Sequence, residues 1–152
     1  MYKIVSTGLG IGYIPKGGGT VASAFCCFCM FLITRAGGNF NTHIIPVVLI
    51  TIVLLAIGTV AANKVEPFWG KDNYRVVIDE IAGMWISMLL IPPTISFLIT
   101  GFILFRIFDI GKPFFIRKME KLPGGIGVMM DDVLAGVYTN ILLQIFVAYN
   151  LL

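Results

Sequence analysis

The chain has 152 residues, of which 58% are hydrophobic and 12% charged, with a formal net charge of +3. Soluble domains carry about 25% charged residues, so a chain this apolar has more hydrophobic side chain than one small core can bury, and it reads as an integral membrane protein. The length fits one domain spanning residues 1–152; the lack of long basic runs argues against nucleic acid as a partner, while the modest positive balance suits an anionic membrane surface.

Residues 1–20 are glycine-rich, G-L-G-I-G-Y-I-P-K-G-G-G-T in their second part. Glycine this dense disfavours a helix, so the segment reads as a loop or a short interfacial stretch through Tyr2, Ile4 and Val5. Gly8, Gly10, Gly12 and Pro15 interrupt any signal-peptide core. Thr20 is read as the N-cap of the next helix, whose free N–H groups could face an anion; the alternative is a plain entry loop. The first span is expected at 21–33, extended by its flanks. Cys26, Cys27 and Cys29 lie inside it and read as small apolar fillers, because no second Cys or His cluster completes a metal site. His43, the sole histidine, sits beside Asn41 and Thr42 and reads as a solvated loop residue.

Residues 44–62 carry no charge and form the clearest span. A polar connection is expected over 63–74. The next apolar region, 81–105, is broken by Pro92-Pro93 and is either one kinked helix or two short arms. If it returns to the side it left, every Lys and Arg except Arg35, and all eight acids, share one side of the membrane. The positive-inside rule favours that return. The arms are too short for a full crossing of ~30 Å, which leaves their geometry open. The last span is expected at 133–152, with Asn140 and Gln144 available for hydrogen bonds between helices.

The chemistry concentrates at 105–136. This stretch holds Arg106, Lys112, Arg117, Lys118 and Lys121, together with Asp109, Glu120, Asp131 and Asp132. Asp79-Glu80 and Asp131-Asp132 are expected at the mouths of two apolar helices, and Asp109 at the end of a third. Adjacent acids against lipid are costly, and a shared divalent metal relieves both repulsion and desolvation. All-oxygen ligands favour Mg2+, Mn2+ or Ca2+; simple helix capping by the acids is the plainer alternative. Gly83 and Gly136 each lie four residues after an acid, on the same helical face, so close approach of the two helices would bring the acid pairs together. Arg106, Lys112 and Arg117 can hold a phosphate. Metal, carboxylates and a basic clamp are the elements of phosphoryl chemistry, and their place at a membrane face points to a lipid-borne phosphate.

The motifs V-I-D-E-I-A-G-M-W at 77–85, F-R-I-F-D-I-x-K-P at 105–113 and G-G-I-G-V-M-M-D-D-V-L-A-G at 124–136, with G-x-G-x-x-P at 10–15 and G-T-x-x-S at 19–23, make nearly the whole chain resemble the phosphatidylglycerophosphatase A family. It departs from the family pattern at Gly18, Ala22 and Phe115, where proline, glycine and a second proline are usual; none of these removes an acid. The resemblance implies an all-α, multi-span helical membrane protein of the bacterial inner membrane, with a polar active-site face on the cytoplasmic side. It implies a Mg2+-dependent phosphatase that converts phosphatidylglycerol phosphate to phosphatidylglycerol. Its catalytic and metal residues would be Asp79, Glu80, Asp109, Asp131 and Asp132. Phosphate would be bound by Arg106, Lys112 and Arg117, with Lys16 and Thr20 from the N-terminal segment. The lipid bilayer and the phospholipid substrate are the expected partners; oligomeric state is left open. From site chemistry alone, a divalent-cation carrier or channel using the same acids is the main alternative, and a structural membrane subunit with a charged docking loop is a third.

Overall fold

The computed structural model describes residues 1–38 and 44–152, so the reading of His43 lies outside the described residues. The elements are α1 (Tyr2–Ser6), a 3-10 turn (Ile11–Tyr13), α2 (Gly18–Arg35), α3 (Ile44–Trp69), α4 (Ile78–Ser87), α5 (Ile95–Gly111), α6 (Ile116–Met119) and α7 (Gly124–Ala148). There is no strand among the described residues. Helices α2, α3 and α7 are long and apolar enough to cross a membrane, and this is a membrane protein.

Three boundaries differ from the sequence reading. Helix α2 starts at Gly18 behind a left-handed Gly17, which places Thr20 inside the first turn and not at the cap. Helix α3 runs on to Trp69 through the expected polar connection. Its buried stripe of Gly58, Ala61, Ala62 and Val65 keeps helical spacing into that segment, and the helix stops two residues after Pro67, which cannot donate to the Asn63 carbonyl. Helix α7 starts at Gly124, so Asp131 and Asp132 lie inside it instead of at its mouth. A Cβ on Gly125 would strike the backbone of Thr59 and Asn63 of α3, and one on Gly127 the Leu122 carbonyl in the turn ahead of α7. Gly125 thus lets α7 begin pressed against α3, and the Asn63 amide oxygen accepts from Gly125 N at 2.6 Å to hold it there, while Gly127 lets the preceding turn fold back on α7.

The region 81–105 is a hairpin. Gly83 of α4 faces the Phe105 ring of α5, and Gly101 of α5 faces Met84 and Met88 of α4, an antiparallel pairing. Helix α4 has 10 residues, about 15 Å, half the thickness of the hydrocarbon core. It survives because it is central: Ala82, Met84 and Ser87 are fully buried, among side chains of α2, α5 and α7 in a core that includes Cys26, Met30, Phe105 and Leu143. Inside a bilayer the carbonyls exposed where α4 stops need donors. Asn140 Nδ2 of α7 donates to Ser87 O (3.0 Å) and Leu89 O (2.7 Å), and Gln144 Nε2 donates to Leu89 O (3.3 Å). Thr94 caps α5 by accepting from Phe97 N.

Helices α4 and α7 run parallel and touch backbone to backbone. A Cβ on Gly136 would collide with the Gly83 carbonyl, and one on Gly83 would come within 2.7 Å of the Asp132 carbonyl. The glycine-rich N-terminal segment is folded back on the start of α4: Val77 N donates to Ser6 O at 2.8 Å, and Gly8, Gly12 and Gly19 abut residues between Arg75 and Ile81.

Gly136→Ala is therefore expected to force α4 and α7 apart, with a loss of about 1–3 kcal/mol in thermal unfolding of the detergent-solubilised protein. Asn140→Leu removes the donor to both hairpin carbonyls and is expected to cost about 1 kcal/mol, whereas Ile141→Leu on the neighbouring exposed face leaves the transition where it was.

Candidate active site

The starts of α2, α4 and α7 and the ends of α3 and α5 meet at one end of the bundle. Asp79 and Glu80 occupy the first turn of α4. Asp131 and Asp132 point inward from α7, and Asp109 comes from the last turn of α5. The exposures of Asp79 (6%), Asp131 (4%) and Asp132 (4%) are those of core residues, so these acids are not solvated caps. Carboxylate oxygens of Asp79, Glu80 and Asp132 lie within 4.8 Å of one another. Asp109 and Asp132 are within hydrogen-bonding reach of each other. The parallel α4–α7 contact brings this about: Gly83 and Gly136 each sit one turn beyond an acid, so closing the backbones closes the carboxylates.

Asp131, beside that cluster, is paired with a cation. Its Oδ2 accepts from Lys112 Nζ at 2.8 Å, and the same ammonium pairs with Glu120. Burial lowers the Lys112 pKa, but hydrogen bonds to Asp131 and Glu120 outweigh it and hold the ammonium above its ordinary range. Lys112 reaches them from a left-handed backbone (φ 43) at the C-cap of α5, its N–H bonded to Phe108 O. A non-glycine residue in that region is uncommon; Pro113, next in the chain, cannot continue the helix. Arg106 pairs with Asp109 one turn earlier on α5. Lys71 fixes the loop below by donating to Glu120 O (2.9 Å) and Leu122 O (3.0 Å).

Of the expected site residues, the structure thus brings together Asp79, Glu80, Asp109 and Asp132, with Arg106 beside Asp109 and Lys112 beside Asp131. Lys16 is exposed ahead of α2, and Arg117 is exposed on α6 with no ion pair among the described residues. Thr20 is exposed and lines a groove with Arg106. Three participants were not expected. Gly19 lies so close to Glu80 that a Cβ there would strike its carboxylate; Glu120 completes the Lys112 cluster; Lys71 anchors the loop. Of these, Glu120 had a signal, an acid inside the basic stretch. Gly19 and Lys71 had none, because their partners are far along the chain.

Among the described residues, three side-chain polar atoms are buried without a hydrogen-bond partner: Glu80 Oε2, Asp131 Oδ1 and Arg106 Nε. Unpaired buried polar atoms are costly, and here two acceptors and one donor of that kind lie around the same cluster. Six carboxylates (Asp79, Glu80, Asp109, Glu120, Asp131 and Asp132) face two paired cations, Arg106 and Lys112.

The bundle buries carboxylates at one end beside Arg106 and Lys112, and its family makes it a membrane enzyme. The chain belongs to the phosphatidylglycerophosphatase A family, whose profile matches residues 4–147, and it is a phosphatase. It is 44% identical over 149 residues to a putative phosphatidylinositol-3-phosphatase of Bacteroides thetaiotaomicron, covering 93% of this chain and 91% of that one. It is 30% identical to phosphatidylglycerophosphatase A of Escherichia coli (90% and 77% covered) and 34% identical to that of Haemophilus influenzae (91% and 83% covered). No solved structure matches the chain.

Lys112→Met leaves Asp131 buried without its cation and is expected to cost about 3 kcal/mol. Adding Asp131→Asn should restore most of that loss, and a double-mutant cycle on thermal unfolding measures it.

Proposed function

We propose that this chain is a Mg2+-dependent lipid phosphatase that hydrolyses phosphatidylglycerol phosphate to phosphatidylglycerol and phosphate. We place it in the bacterial inner membrane with its site on the cytoplasmic side, the side to which a positive-inside reading assigns Lys3, Lys16, Lys64, Lys71, Arg75 and the cations of 105–136. The observation that carries the reading is the convergence of Asp79, Glu80 and Asp132 within 4.8 Å, with Glu80 Oε2 left unpartnered.

The donor set fits a hard divalent cation: it is all oxygen, buried and in charge excess. Asp79, Glu80 and Asp132 would hold it. When bound, Mg2+ polarises the phosphoryl oxygens and lowers the pKa of coordinated water. The remaining work belongs to the chain. Arg106 and Lys112 offset the charge of the phosphomonoester, Arg106 offering a guanidinium with its Nε still free. Asp109 holds Arg106 in register through their ion pair. Water adds to phosphorus, the bond to the glycerol oxygen breaks, and the leaving oxygen takes up the proton that the attacking water has given to Asp131. Asp131 Oδ1, buried and unpartnered, is the acceptor for the proton of the attacking water.

The Bacteroides relative's name raises phosphatidylinositol 3-phosphate as a competing substrate. Depth favours the glycerol ester. The acids are buried, and a phosphate on a slender three-carbon arm reaches them with less bulk than one on a cyclohexane ring.

Purified protein in mixed micelles should release phosphate from phosphatidylglycerol phosphate with Mg2+ and lose that activity with chelator. It should act at least tenfold more slowly on phosphatidylinositol 3-phosphate; the reverse order would transfer the assignment to the inositol lipid. Asp132→Asn is expected to lower turnover by 100-fold or more while the protein still inserts. Phosphate release near the unaltered rate from that variant would remove the metal-site assignment.

A further inference from the structure

A lateral groove of about 530 Å³ lies between α2 and α5, lined by Thr20, Phe102, Ile103, Arg106, Ile107 and Ile110, with Gly111 at its end. Its volume falls in the range of small-molecule sites, roughly 300–1,000 Å³. Phe102, Ile103, Ile107 and Ile110 make it apolar along the side of α5. Its polar members are Thr20, near the start of α2, and Arg106, which is bonded to Asp109. Thr20 follows Gly19, the residue whose bare backbone lies on the Glu80 carboxylate. The groove therefore runs from the side of the bundle to the edge of the acid cluster. Ile103 and Ile107 are more than half exposed, on a helix packed at depth against α4 and α7.

We propose that this groove seats the acyl part of the anionic lipid substrate, with its headgroup turned inward past Arg106 to the acids; the proposal rests on the lipid-phosphatase reading. The occupant follows from charge and position. A soluble phosphate ester has no use for an apolar groove, and a zwitterionic diester brings an ammonium along with its single phosphate charge, whereas a lipid phosphomonoester brings up to two negative charges to Arg106. An anionic lipid satisfies both ends. Because lipid tails are as apolar as the groove, leaving the bilayer for it gains little hydrophobic energy. What the groove supplies is orientation: it holds the chain so that the phosphate approaches the cluster from one direction. Blocking it should therefore reduce turnover of a long-chain lipid in a bilayer and spare a short-chain ester that can approach without it.

The test uses the full-length protein with Ile103→Trp to fill the groove and Val53→Trp on the exposed face of α3 as a control. With dioleoyl phosphatidylglycerol phosphate in vesicles, Ile103→Trp is expected to lower kcat/KM tenfold or more, with Val53→Trp within about threefold of the unaltered protein. With the dihexanoyl analogue, both should stay within about threefold. Equal losses on both lipids, or no loss on either, would overturn the groove assignment. A binding readout stands apart from catalysis. Tryptophan placed by Ile110→Trp should be quenched at least twofold more by brominated-chain phosphatidic acid than by brominated-chain phosphatidylcholine, after subtraction of the signal of the unaltered protein. Equal quenching overturns the groove even in an active enzyme, whereas selective quenching in a protein that releases no phosphate upholds the groove and overturns the phosphatase reading.

Discussion

The contact between the backbones of α4 and α7 at Gly83 and Gly136 governs this molecule. Between helices in lipid there is no hydrophobic force to draw on, so association depends on close packing and hydrogen bonds. Two glycines let the helices meet with no side chain between them. Each glycine follows an acid by one helical turn, so this close packing and the approach of Asp79 to Asp132 are the same event. Asp79 and Asp132 cannot be separated without opening that contact, and the contact cannot close without bringing the carboxylates together.

The short length of α4 follows from this arrangement. A helix of about 15 Å ends in the middle of the bilayer and leaves carbonyls there without water. Its position in the centre of the bundle lets α7 repair the deficit with Asn140 and Gln144, on the same helix that carries Asp131 and Asp132. Helix α7 thus serves α4 twice, at its acidic start and at its broken end. Helix α5 returns from the break and delivers Arg106 and Asp109, then turns sharply at Lys112 so that the ammonium folds back on Asp131 and Glu120. The strained backbone at Lys112 is held by two ion pairs and by the proline that follows.

Some of this could be read along the chain. The greasy composition, the uncharged run from Ile44, the proline break and the charge count that favoured a return all follow from local residue chemistry, and the hairpin agrees with that count. The acid–glycine spacing in 79–83 and 132–136 also foretold which faces would meet. The differences share one cause. The expected start of the last span at 133 and the expected connection over 63–74 both rest on propensity, which describes an isolated segment. In the bundle, Gly125 allows α7 to begin against α3, and the buried Val65 carries α3 onward. The contact that starts α7 early belongs to Thr59 and Asn63, more than fifty residues away.

The sequence by itself determined that this protein lives in a membrane, which helices enter it, which side chains carry charge, and the family to which it belongs. These are properties of composition, periodicity and motif, and they need no knowledge of neighbours. Only the tertiary structure decided that Asp79, Glu80 and Asp132 form one cluster while Asp131 turns to Lys112, that Gly19 lies on Glu80, and that a groove between α2 and α5 reaches Arg106. Each of these depends on the distance between helices that are remote in sequence, and such distances are set by backbone packing that one-dimensional spacing does not encode.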